Sequence, residues 1–341
     1  MLRRPNELQS PLVWRLQRTR IQMTASLDTH SERLVQRVNE LYHDFFNEQY
    51  QYSHPEIFEQ ENDRWRQIAN RFLKYREPAT VVDIGTGTGF VPLTIAHLFK
   101  REDVFVCCDI SRGILAVAER NINKHAFQCA FRFVKIESAV PLRLPFEGSS
   151  ADVVTINSTL HHIRDTTSFL AEVDRVLRPK GLLLIGHEPN AYFREHRGLW
   201  YNYLILSLLT DPTRAVYEVA ARTGTLGALR RIYSLVSAKK ISELHMCRRL
   251  NNQLLKERLI SRPLRFEEIG AITDVRDKEG FKPDSLLPNY QLLYLETYNH
   301  LQKVITKHYG NWLLRSYDDY LSRKFPHHGS TFFVVARRRE G

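Results

Sequence analysis

The stretch that most constrains this chain is Val81–Phe90. An apolar run, Val81-Val82-Asp83-Ile84, opens into Gly85-Thr86-Gly87-Thr88-Gly89, and Val91-Pro92-Leu93-Thr94-Ile95-Ala96 then resumes an apolar pattern. A β-type run that breaks into alternating glycines and restarts as a helix predicts a tight turn at a strand end, with backbone open to close approach by a ligand. The following helix offers that ligand its free N–H groups and the positive end of its dipole. Dinucleotide-binding turns space their glycines Gly-x-Gly-x-x-Gly. The spacing here is Gly-x-Gly-x-Gly, so a different ligand is expected.

The pattern continues downstream. Val104-Phe105-Val106-Cys107-Cys108 reads as a buried strand, and Asp109 stands at its end, where an acid can accept both hydroxyls of a ribose. Ala151–Asn157 gives another strand, followed by Leu160-His161-His162-Ile163. Leu170–Leu177 reads as a helix, Arg178-Pro179-Lys180-Gly181 as a turn, and Leu182–Ile185 as a further strand. Alternation of strand and helix from 79 to 190 predicts an α/β, doubly wound parallel sheet covered on both faces.

Five pieces in this order, DIGTGTGF, the acid of CCDIS, LPFEGSSADVV, LHHI and VLRPKGLLLI, closely resemble the class I S-adenosylmethionine-dependent methyltransferases over residues of about 80–190. The resemblance implies a seven-stranded Rossmann-like sheet and S-adenosylmethionine as cofactor. It implies cofactor contacts from Asp83, Gly85, Thr86, Gly87, Gly89, Asp109, Ile110 and Asn157. An acid followed by a small residue commonly meets the adenine amino group in this family, a role that falls to Glu137-Ser138, although the gap to Leu144-Pro145-Phe146 is longer than usual. Leading helices in the family often close over the cofactor, and Tyr50, Tyr52 and His54 lie on the loop joining them here. The other reading of those aromatics is surface packing.

The domain organisation expected is a flexible basic tail over 1–30, an N-terminal helical lid over 31–78, a cofactor-binding core over 79–190, an inserted helical cap over 191–266, and a C-terminal part with the closing antiparallel hairpin over 267–341. The lid rests on helical spacing of Leu34, Val38, Leu41 and Phe45, then Trp65, Ile68 and Phe72. The hairpin rests on Leu292–Leu295 and Thr331–Ala336. Within the cap, Leu199, Trp200, Tyr203, Leu204 and Leu208 are candidates to line an apolar acceptor site or to touch a membrane surface, or else to pack the lobe itself.

Composition narrows the class further. At 43% hydrophobic and 26% charged, the chain reads as globular. No run reaches the roughly 18–20 apolar residues a membrane span requires. The cysteines at 107, 108, 129 and 247 lack zinc-type pairing, which fits reduced thiols and a cytoplasmic protein. The net charge of +11 is concentrated: residues 222–265 hold eleven Lys or Arg against Glu243 and Glu257. That excess points to an anionic ligand or membrane surface at the cap, or to a solvated helical face. The basic lobe alone supports nucleic acid poorly, because no aromatic-rich RNA motif accompanies it.

Methyl transfer from a sulfonium is an in-line displacement, so the protein must align the acceptor and exclude water. A base is needed only where the acceptor loses a proton. Residues emerging at the pocket edge are Asn157, His161, His162, His187 and Glu188. His161 or His162 is expected to act as base or to orient an acceptor hydroxyl, with Asn157 holding the oxygen. No histidine pair has the H-x-x-x-H spacing of a helical metal site, so no metal is expected. The chain is read as an enzyme that methylates a small-molecule or lipid-like acceptor, at oxygen. The alternatives are an RNA or protein methyltransferase using the basic cap, and a non-catalytic binding or assembly protein.

Overall fold

The computed structural model describes residues 32–46, 55–73, 78–140, 142–210, 241–277, 279–301 and 311–340, with positions 212, 216, 219 and 304 besides. The tail over 1–30, Tyr50, Tyr52, His54 and the basic stretch 222–240 lie outside the described residues.

Helices α1 (Glu32–Phe46) and α2 (Pro55–Phe72) precede the sheet. The core then runs β1 (Thr80–Ile84), α3 (Phe90–Ile95), β2 (Val104–Asp109), α4 (Arg112–Ile122), β3 (Ala130–Lys135), β4 (Ala151–Asn157), α5 (Thr166–Val176) and β5 (Leu177–Pro189). Helices α6 (Ala191–Glu195), α7 (Arg197–Thr210), α8 (Ile241–Lys256) and α9 (Phe266–Thr273) follow. The chain closes with β6 (Tyr290–Tyr298), α10 (Trp312–Lys324) and β7 (Thr331–Arg338). The seven strands stand in the order β3-β2-β1-β4-β5-β7-β6, with β7 antiparallel to both β5 and β6. This is the expected α/β, doubly wound seven-stranded sheet with its closing hairpin.

Period-2 alternation splits the strand residues between two cores. Val81, Val153, Leu182 and Leu184 join one cluster with Trp65 and Ile68 of α2. Val82, Val154, Leu183 and Ile185 join the other with Phe169 and Val173 of α5. Both faces are therefore buried, which is why the strands read as continuous apolar runs. The chain reverses its direction across the sheet between β1 and β4. That switch point is where open α/β sheets leave a crevice at the carboxyl ends of their strands.

Two features differ from the sequence reading. Strand β5 begins at Leu177, because the 178–180 excursion is an irregularity inside the ladder: Leu177 pairs with Ala151, and pairing resumes at Val153–Leu182. Lys180 takes φ of 64° there. The helices also group otherwise than as a lid followed by a cap. The apolar stripe of α1 packs on α8 and α9 through Leu34, Val38, Leu250, Leu254, Ile269 and Ile272. Helix α2 instead underlies the sheet, and α6 and α7 pack on Leu301, Val304 and Leu321. Tyr203 and Leu199 are buried in that last cluster, so they pack the helices rather than line a cavity. Asp44 at the end of α1 ties this upper layer to the core, accepting from Ser111 Oγ at 2.6 Å and Gly113 N at 2.9 Å.

Candidate functional site

At the carboxyl ends of β1 and β4 lies a cavity of about 1030 Å³, counting its open mouth. The glycine turn forms its floor. Gly85, Gly87 and Gly89 all hold positive φ, at 73°, 57° and 97°. Gly85 N and Thr86 N both donate to Cys108 O, at 2.8 and 2.9 Å, which pins the turn to β2. A Cβ on Gly85 would stand 2.2 Å from Thr159 Oγ1, whereas at Gly87 the nearest atom would be 4.0 Å away. Gly85 is thus the glycine the protein itself crowds, and Gly87 faces the open cavity. Replacing Gly85 by Ala is expected to cost about 2–4 kcal/mol, combining the left-handed φ with the clash. Thermal melting checks this: a Gly85→Ala variant that melts with the parent would show that Thr159 yields freely.

Asp109 sits beside the turn, buried, with Oδ2 accepting from Gly87 N and Oδ1 from Ser111 N, each at 2.9 Å. Burial pushes its carboxyl up to about 6, against the lowering effect of those two amides. Ile110, Ile114, Ile136, Leu142 and Phe169 supply an apolar wall next to it. Asp83 lies beneath the turn rather than on the wall, accepting from Thr155 Oγ1 at 2.6 Å, and burial lifts it to about 7. Glu137 and Ser138 are also off the wall. Glu137 is 76% exposed and pairs with Lys135, and Ser138 Oγ donates to Glu40. Ile136 lines the cavity, so the alternating pleat turns Glu137 away.

The loop after β4 hangs on one buried carboxylate. Glu188 accepts from Thr159 N and Leu160 N at 2.6 Å each, from His161 N at 3.1 Å and from His161 Nδ1 at 2.9 Å. These are the free amides at the start of a 3₁₀ turn, Leu160–His162, so Glu188 acts as its cap. Burial disfavours charge on His161, but Glu188, Asp274 and Asp277 outweigh it and raise its pKa. His161 is not on the cavity wall, whereas His162 is. His162 Nδ1 lies 2.8 Å from Thr273 O and 3.3 Å from Asp274 Oδ1. A carbonyl only accepts, so Nδ1 is the donor, and in the neutral ring Nε2 is the nitrogen with the lone pair. Asn157 shares the wall, its Oδ1 accepting from the buried Trp65 Nε1 at 2.8 Å. His187 turns instead toward Glu61, 3.3 Å away.

Several of these groups escaped the sequence reading. Glu32, Gln36, Asn39 and His43 form a polar stripe on α1 that faces the cavity. Gln36 Oε1, Asn39 Oδ1 and Thr88 Oγ1 are buried without a hydrogen-bond partner. Unpaired buried acceptors of this kind are costly unless a ligand satisfies them. Thr273 and Asp274, at the end of α9, come from over 100 residues beyond His162. His161, His162 and Asp274 bring potential ligand atoms within 4.8 Å of one another, the trio of that kind among the described residues. Both histidine Nδ1 atoms are already engaged there by protein acceptors.

The comparisons agree with this geometry. Residues 82–185 match the family model described as a methyltransferase domain. A ubiquinone/menaquinone biosynthesis C-methyltransferase, UbiE, of Geobacter sulfurreducens is 32% identical over 122 residues, 36% of this chain and 46% of that protein. A demethylmenaquinone methyltransferase of Corynebacterium kroppenstedtii is 28% identical over 160 residues, 45% of this chain and 64% of that one. The chain thus spans about half to two thirds of the length of these relatives. Among solved structures, an S-adenosylmethionine-dependent methyltransferase from Aquifex aeolicus aligns at 23% identity over 40% of this chain and 68% of its own, with a TM-score of 0.34. Strand order, glycine turn and family match together mark residues 82–185 as a methyltransferase domain of the class I S-adenosylmethionine-dependent kind.

Proposed function

We propose that this chain methylates a small, largely apolar acceptor through a hydroxyl group, and that His162 removes the hydroxyl proton. The observation that carries the reading is His162 on the cavity wall, its Nδ1 tied to Thr273 O and Asp274 and its Nε2 left as an open base. S-adenosylmethionine, when bound, supplies a methyl group on a sulfonium. The cavity fits such a group, because its turn is open at Gly87 and its buried acceptors on α1 and at Thr88 lack partners. Backbone of Gly85, Thr86 and Gly87 would hold it with Asp109 and Ile110, whereas Gly89 lies off the wall, against Ala118 and Ile122. Asp109 keeps acceptor capacity for ribose hydroxyls, since a carboxylate offers about four lone-pair sites and two are spent on amides. Asp83 supports the turn from below, and Ile136 with Phe169 would flank the base in place of Glu137-Ser138. Asn157, oriented by Trp65, would steady the acceptor oxygen.

Asp274 backs the proton transfer. Partial burial works against its charge, but the hydrogen bond from His162, with His161 and His43 beside it, holds it down at about 2. A carboxylate that stays ionised stabilises the imidazolium formed when His162 takes a proton. Methylation at oxygen is the reading carried forward. A second site, the carbon next to a deprotonated phenolic oxygen, is favoured by the name of the Geobacter relative, a ubiquinone/menaquinone biosynthesis C-methyltransferase. One assay addresses both: methyl-labelled cofactor is offered with a panel of phenols and short-chain hydroquinones, with RNA and protein fractions alongside. The product is then mapped by mass spectrometry. Transfer to a hydroxylated small molecule, unchanged by a chelator, is expected. Transfer only to RNA or protein, or to acceptors without a hydroxyl, would overturn the proposal.

A further inference from the structure

Helices α7 and α10 carry a surface that the methyl-transfer chemistry does not use. Most of the large apolar side chains left exposed among the described residues lie on these two helices or just after α7. On α7, Ile205, Leu208 and Leu209 recur at helical spacing, and Leu209 is 77% exposed. On α10, Trp312, Leu313 and Tyr320 are exposed, Trp312 at 71%. The inner faces of both helices are satisfied, since Leu199, Tyr203 and Leu321 pack together. Tyr317 Oη donates to Asn202 at 3.2 Å across the pair, so the two outer faces adjoin. The exposed apolar and aromatic side chains are thus grouped on two joined helices rather than scattered singly, and grouped exposure of this kind marks interaction sites.

Composition and charge identify the occupant. Over its 14 residues α7 has Arg197 as its one charged side chain. Helix α10 exposes Arg315, Arg323 and Lys324 against a single exposed acid, Asp319. Lys324 Nζ sits 5.6 Å over the Tyr320 ring, so the cation borders the aromatic edge. Aliphatic residues beside Trp and Tyr, rimmed by cations, form the pattern that seats a helix in the headgroup layer of a bilayer. No described helix is long and apolar enough to cross a membrane. Both helices join the sheet at its carboxyl edge: α6 and α7 follow Pro189 of β5, which pairs with Thr331 where α10 leads into β7. The cavity opens at that same edge.

We propose that the outer face of α7 and α10 docks on an anionic lipid surface, lying in its headgroup layer without spanning it. The proposal stands on this surface alone and is independent of the acceptor. The full chain is floated with phosphatidylcholine vesicles, with and without a minority of phosphatidylglycerol, and an Ile205→Glu/Leu209→Glu double variant is compared. The parent is expected to float with the anionic vesicles, less so at high salt. The double variant should lose about 30-fold or more in partitioning, since two apolar contacts become charged. S-adenosylmethionine affinity by calorimetry should match the parent, which shows that the variant folds. A parent chain that stays out of both vesicle types, or a variant that floats equally well, would overturn the proposal. So would a dimer in light scattering that the same substitutions dissociate, because the face would then belong to a second copy of the chain.

Discussion

Asp109→Ala is expected to weaken S-adenosylmethionine binding by about 2–4 kcal/mol, roughly 30- to 1000-fold in Kd, because hydrogen bonds to a charged acceptor are the strong ones. The variant also deprives Gly87 N and Ser111 N of their acceptor, so a loosened turn must be separated from a lost contact. The structure offers that separation. Ser111 Oγ independently caps α4 by accepting from Ile114 N, and Gly85 N and Thr86 N still hold the turn through Cys108 O. Removing a buried carboxylate relieves its desolvation, which offsets the cost of leaving those two amides without their acceptor. Calorimetry showing weak binding at an unchanged melting temperature supports a direct contact. A Kd equal to the parent's would remove Asp109 from the site.

The pH dependence sharpens that test. Burial raises Asp109 to about 6. Protonation replaces an acceptor with a donor, so affinity in the parent should fall as pH drops from about 7.5 through 6. Asp109→Asn keeps one acceptor oxygen and cannot titrate, so its affinity should lie between parent and Ala and stay flat over that range.

What was legible in the sequence was local. The glycine turn, the acid after β2 and the strand run announce themselves within a few residues, and the structure places Gly85, Thr86, Gly87, Asp109, Ile110, Asn157 and His162 around one cavity. What escaped was long-range. The polar stripe of α1 reads as a solvated helix face until its apolar face is seen packed on α8 and α9, some 200 residues away. The same contact brings Asp274 to His162. Glu188 read as an acid–base candidate, whereas its oxygens are spent on Thr159, Leu160 and His161. The glycines of the turn look alike in the sequence, and only the fold shows that Thr159 crowds Gly85 while Gly87 has open space beside it. Side-chain direction at a strand end, as at Glu137, depends on where the pleat stops, and a sequence does not mark that residue.

His162→Gln is expected to lower kcat by roughly 10²–10⁴-fold, the usual contribution of a positioned general base. It should also abolish the acidic limb of the pH–rate profile, since glutamine does not titrate. Cofactor affinity should change little, because His162 faces the cavity from the loop after β4 rather than from the glycine turn. Two neighbours make the result interpretable. His161 lies off the wall, with Nδ1 given to Glu188; His161→Gln should cost stability but leave the acidic limb in place. Asp274→Asn keeps the shape beside His162 and removes the charge that holds the imidazolium. Its kcat should fall between His162→Gln and the parent. A merely structural role for Asp274 would lower the melting temperature and leave kcat at the parent's value. If His162→Gln keeps kcat within a few-fold and its acidic limb intact, the histidine is a wall. Alignment of the acceptor and exclusion of water would then account for the rate.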